Sequence, residues 1–160
     1  NLVGFQTHLK FPEQKRVFSM IPALHNAEFV RYGVMHRNTF LDSPRLLDAT
    51  YALKAEPRIR FAGQMTGVEG YIESTASGWV AGVAAAMEVL GRPMPQLDRF
   101  TAVGALASYI SDHTVTKFQP MNINFGIIEP LGYKIKGKRE KNAKISERAL
   151  ERIESLKGEL

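Results

Sequence analysis

A chain of 160 residues, 44% apolar and 23% charged, can bury the core of one ordinary domain or half of a larger one. The absence of cysteine excludes a disulfide scaffold and a thiolate metal site, and suits a cytosolic protein. The longest apolar stretch, 78–90, is too short for a bilayer span and carries Glu88, no signal-peptide pattern opens the chain, and the net charge of +5 is unevenly spread.

In chain order, residues 2–9 read as a strand and 12–21 as a helix with Pro12 in its first turn. Residues 27–32 give another strand, and 36–47 a polar loop broken by Pro44. From Arg58 to Ala62 charged and apolar residues alternate, as in a strand that reaches a ligand site. A long helix is predicted from about Gly70 to Leu90, with Gly91 and Pro93 as its stop. A second helix covers 102–111. The last runs from about Asn142 to Leu156, its start poorly marked because Ala149, and no Glu or Gln, follows Ser146 by three residues. Between them FQPMNINFGIIEPLG, residues 118–132, has no period and reads as a structured loop. Strands mixed with helices argue for an α/β fold.

The segment with most chemical content is FAGQMTGVEGYIESTASGWVAGV at 61–83, where an apolar strand enters a glycine-rich turn and then a helix faced with small residues. Amides in a first helical turn lack an intrahelical acceptor, and the helix dipole favours an electron-rich ligand edge there. Gly63, Gly67 and Gly70 clear the approach, while Gly78, Ala81, Gly82, Ala84, Ala85 and Ala86 let the helix lie close to a sheet. The residues alone leave open a ligand site or an ordinary tight turn with helix-packing glycines.

Three segments, RYGVMHRNTFLDSP at 31–44, FAGQMTGVEGYIESTASG at 61–78 and FQPMNINFG at 118–126, occur in an order that resembles the folate- and flavin-dependent tRNA uracil-5 methyltransferases, the TrmFO family. The resemblance covers nearly the whole chain. The neighbouring GidA/MnmG wobble-uridine flavoproteins usually carry Asn-Gly-Thr-Thr where this chain has Thr66, Gly67, Val68 and Glu69. It implies the C-terminal part of a two-dinucleotide-domain, Rossmann-like FAD-binding flavoprotein, with the sheet incomplete in this stretch. Residues 1–45 would close an insertion or substrate domain and return to the FAD domain, 46–95 would give its strand–turn–helix, and 96–160 a helical region with a basic strip. No GxGxxG turn occurs, Asn1 reads as lying mid-strand, and the cysteines to which the family's catalysis is attributed are absent. The expectation is a portion of a longer enzyme, without catalytic residues or activity of its own.

By resemblance, the FAD contacts are Gly63, Gln64, Met65, Gly67, Val68, Glu69, Gly70 and Tyr71, with Gln64 where many such flavoproteins have an aspartate. His36 sits in the segment similar to the family's folate site, where an imidazole would stack on the pterin, and Arg37 and Asn38 would supply polar contacts. Methylenetetrahydrofolate and NADH or NADPH are the implied co-substrates, and tRNA the implied partner. His8, His25 and His113 read as structural or solvated.

From 134 to 148, Lys134, Lys136, Lys138, Arg139, Lys141, Lys144 and Arg148 face only Glu140 and Glu147, a local charge of +5 equal to that of the whole chain. Such a strip suits RNA phosphates. It also suits a solvated helix face, with Lys144–Glu147 and Arg148–Glu151 pairs. Tyr133 and Phe125 lie nearby as stacking aromatics or core.

Overall fold

The computed structural model describes residues 4–35 and 38–159, in two compact units, 1–38 and 39–160.

In the first unit, Pro12 starts helix α1, Phe11–Phe18, and a 3₁₀ turn follows at Pro22–Leu24. The helix stops short of the expected Ile21 because Pro22 cannot continue it. Its one buried side chain is Gln14, whose Nε2 donates to the carbonyls of Leu9 (2.8 Å) and Gly33 (2.7 Å) and whose Oε1 accepts from the Gly33 N–H (2.9 Å). Only glycine fits at 33, since a Cβ would lie 1.7 Å from the Phe5 carbonyl oxygen. The strands expected over 2–9 and 27–32 are absent from the described residues there. Their aromatic residues serve ring packing instead: Phe5 meets Phe18 edge-on at 5.2 Å, and Phe29 stacks on Tyr32 at 5.6 Å. The Gln14 amide takes the two bonds at Gly33 that a neighbouring strand would otherwise supply.

The second unit opens with α2, Ser43–Leu46, where a loop broken by Pro44 was expected. Pro44 lies in the first helical turn, where its missing N–H costs nothing. A hairpin follows: β1, Ala52–Leu53, pairs antiparallel with β2, Glu56–Arg60, and the pair is the whole sheet among the described residues. The β2 strand lies two residues earlier than the 58–62 reading. The fold is thus mixed α/β with a small antiparallel sheet.

Helix α3, Tyr71–Val89, occupies the expected span. It ends in a Schellman arrangement, in which Gly91 at φ +65° lets its own N–H reach the Glu88 carbonyl and the Arg92 N–H reach Met87. Helix α4, Ala102–Ser111, has the expected limits, and Thr101 caps it by accepting the Gly104 N–H on Oγ1 (3.0 Å). Helix α5, Lys138–Leu156, starts one turn earlier than read, because Gly137 at φ +99° turns the chain into it and no side-chain cap is needed. Residues 118–126 form a loop, as expected.

Helix α4 packs on α2 and α3. Leu47, Tyr51, Val68, Val80, Leu106, Ala107, Ile110 and Phe118 form the main core, and Ala105, Ile128 and Ile145 a second cluster that seats α5; Ile123 packs against both. Burial raises the Tyr51 phenol well above its ordinary pKa. Of the small residues on α3, Ala81 and Ala84 are buried. Opposite them runs an exposed or half-exposed row of Ile72, Thr75, Trp79, Gly82, Ala86 and Val89, spaced three and four apart.

Candidate functional site

Extended backbone at Ala62 leads into Gly63 (φ +72°), which opens a 3₁₀ turn, Gly63–Thr66, and Gly67 (φ +88°) closes it. One hydroxyl pins the turn to α3 and another closes the turn on itself. The Gly63 N–H donates to Ser77 Oγ (2.7 Å), the Ser77 hydroxyl donates to the Ser74 carbonyl (2.7 Å), and the Thr66 hydroxyl donates to the Gly63 carbonyl (2.7 Å). Gly70, at φ +98°, is the N-cap of α3.

Loop 118–126 is stitched to this turn. The Met121 N–H donates to the Gly67 carbonyl and the Glu69 N–H to the Met121 carbonyl, both at 3.0 Å. Asn122 Nδ2 donates to the Glu69 carbonyl (3.0 Å), and the Ile123 N–H to Glu73 Oε1 (3.2 Å). The Phe118 ring covers Gly67 so closely that a Cβ there would lie 2.3 Å from it. The remaining motif segment also arrives, as the Leu41 N–H donates to the Met65 carbonyl (2.8 Å) and Phe40 meets Phe118 edge-on at 6.0 Å. Parts of all three motif segments therefore converge on one glycine turn at a helix start.

Among the described residues, nothing accepts the N–H groups of Tyr71, Ile72 or Glu73. Gln64, Met65, Gly70 and Tyr71 are exposed, Tyr71 at 95%. Val68 is fully buried and the Glu69 N–H is committed to Met121, so these two, with Gly67, hold the turn. His36 and Arg37 lie outside the described residues, and Asn38 is exposed in the first unit.

The basic strip separates into two sets. Lys134, Lys136, Lys138, Arg139 and Lys141 are exposed and make no ion pair among the described residues. Lys144 bonds Glu147 at 2.7 Å, and that carboxylate holds its ammonium pKa above the ordinary value. Arg148 turns inward in place of pairing with Glu151, donating to the Glu129 and Pro130 carbonyls and lying 4.5 Å over the Phe100 ring. Tyr133 and Phe125 are both exposed. Sequence reasoning missed Glu73 and Asn122, although a glutamate three residues after a glycine N-cap was a visible signal.

Residues 1–93 match the family described as Glucose inhibited division protein A. The chain belongs to that family. It is 62% identical over 94% of its length to a protein of Acetivibrio thermocellus named Methylenetetrahydrofolate--tRNA-(uracil-5-)-methyltransferase TrmFO, covering 34% of that protein. Proteins of the same name from Desulfitobacterium hafniense and Listeria monocytogenes (serovar 1/2a) are 57% and 56% identical over 98% and 100% of the chain, covering 36% and 37% of each. The chain spans about a third of the length of the curated relatives it matches. The TrmFO resemblance carried by the three motif segments is borne out by these relatives.

Proposed function

We propose that this chain belongs to an enzyme that methylates C5 of a T-loop uridine in tRNA, using methylenetetrahydrofolate as one-carbon donor, FAD, and NADH or NADPH as the source of electrons. One observation carries the reading: parts of the three motif segments meet at a glycine turn whose following helix start has unspent amides. Its support from outside the structure is the name that the relatives carry. The residues suit a flavin within a larger, Rossmann-like FAD domain.

Half-buried Gly63 and exposed Gln64, Met65, Gly70 and Tyr71 would line the ring system, and Gln64 can donate and accept hydrogen bonds without adding charge. The first-turn N–H groups of α3 would stabilise negative charge at the pyrimidine edge. Bound there, the flavin would supply the redox chemistry of the one-carbon transfer. Gly67, Val68 and Glu69 position the turn from within. His36, Arg37 and Asn38 are assigned to the folate, and Lys134, Lys136, Lys138, Arg139, Lys141 and Lys144 to tRNA phosphates, with Lys144 the least available because Glu147 holds it.

A polypeptide of the relatives' length, purified and incubated with tRNA, tests the proposal. Flavin absorbance and folate-dependent 5-methyluridine in the T-loop are expected. A product at the wobble uridine would favour the GidA/MnmG-like reading, and a colourless protein with no folate-dependent product would leave an RNA-binding or assembly module. In the same protein His36→Ala should raise the KM for methylenetetrahydrofolate by about tenfold with flavin retained. Unchanged folate kinetics would remove the stacking role.

A further inference from the structure

Glu73 stands third in α3 after the Gly70 N-cap, where a glutamate ordinarily folds back to the cap's own N–H. Here it bonds elsewhere. Its Oε1 accepts the N–H of Ile123, fifty residues away in sequence, while Oε2 lies against Gly70, so close that a Cβ on Gly70 would fall 2.2 Å from it. Loop 118–126 has no helix or strand of its own and depends on such ties. Those at Gly67 and Glu69 hold Met121 and Asn122, whereas the Glu73 tie is the one among the described residues that comes from an α3 side chain. The next residue it fixes, Ile123, packs against both core clusters.

From this geometry we infer that Glu73 is a positioning residue, a latch that fastens loop 121–124 to the start of α3 and so fixes one wall of the cofactor site. The inference rests on the reading that this helix start receives the flavin. A carboxylate acceptor gives the stronger, charge-assisted form of the bond, but reach is what the latch requires. Charge and reach separate cleanly by substitution. Glu73→Gln keeps an acceptor oxygen at the same distance along the side chain and loses the charge. Glu73→Asp keeps the charge at the helix start, which favours acidic residues, and is one methylene short of Ile123.

The experiment uses the full-length protein with two readouts: amide hydrogen exchange across 118–126, and FAD affinity from the visible spectrum on titration. With Glu73→Asp, exchange at Met121–Asn124 should rise about tenfold and FAD binding weaken about tenfold, whereas Glu73→Gln should stay within about threefold of wild type in both. An Asp variant with wild-type exchange, or a Gln variant as impaired as Asp, overturns the latch. Faster exchange in Asp with FAD affinity unchanged keeps the tie but overturns its role in the cofactor site. If the wild type binds no FAD, the reading under Proposed function fails by itself, and the exchange data still decide whether Glu73 holds the loop.

Discussion

Gly67→Ala should lower the stability of the chain by about 2–4 kcal/mol, read as a reduced urea midpoint at unchanged slope. Two costs add at this position. The backbone sits at φ +88°, where any L side chain is strained by about 1–2 kcal/mol. The new methyl would also lie 2.3 Å from the Phe118 ring, which is itself buried in the core, so the ring or the turn has to move. A double-mutant cycle separates the two, because Phe118→Ala removes the overlap but leaves the backbone strain. Coupling of at least about 1 kcal/mol is expected. Additive effects would mean that the ring does not press on the turn. Under the proposal that this turn receives the flavin, the same substitution in a polypeptide of the relatives' length should also weaken flavin binding, since Gly67 positions the residues on either side of it.

The second large effect concerns the basic strip. Replacing Lys134, Lys136, Lys138, Arg139 and Lys141 together by glutamine should weaken tRNA binding by about a hundredfold or more at low salt. It should also flatten the plot of log affinity against log salt by about 4, since each phosphate contact contributes about 0.7–0.9 to that slope. Arg148→Ala is the informative contrast. Its guanidinium is spent on the Glu129 and Pro130 carbonyls and the Phe100 ring, so its loss should cost about 1–3 kcal/mol of stability and leave the salt slope alone. Anisotropy titrations with labelled tRNA between 50 and 200 mM salt decide it; an unchanged slope in the quintuple variant would remove the strip from the interface.

Where the sequence was legible, local chemistry and long-range packing agreed. The α3 and α4 helices end where a glycine, a threonine cap or a following proline acts on the backbone within a few residues, and such signals survive any tertiary context. Loop 118–126 was legible as a loop from its lack of period, but its attachment was not, because bonds from Gly67, Glu69 and Glu73 cross some fifty residues. In residues 4–35, apolar and aromatic stretches imitated strands. Nothing in the local pattern shows that Gln14 would supply the bonds at Gly33 or that the rings would stack on one another. Arg148 was misgrouped for a related reason: counting charge along a helix cannot tell a cation aimed at solvent from one aimed at backbone carbonyls. The relatives' names support the family resemblance, while the reading of the glycine turn and the role of each residue in it stand on the experiments above.

Trp79 is the single tryptophan of the chain and stands, 43% exposed, midway along the outward row of α3. Its indole is therefore a spectroscopic probe placed by the sequence itself. Emission from an indole wet on one side lies to the red of a dry one and is quenched by acrylamide. Anything that closes over Ile72, Thr75, Gly82 and Ala86 will shift that emission to the blue and shield it from quencher, with no label added.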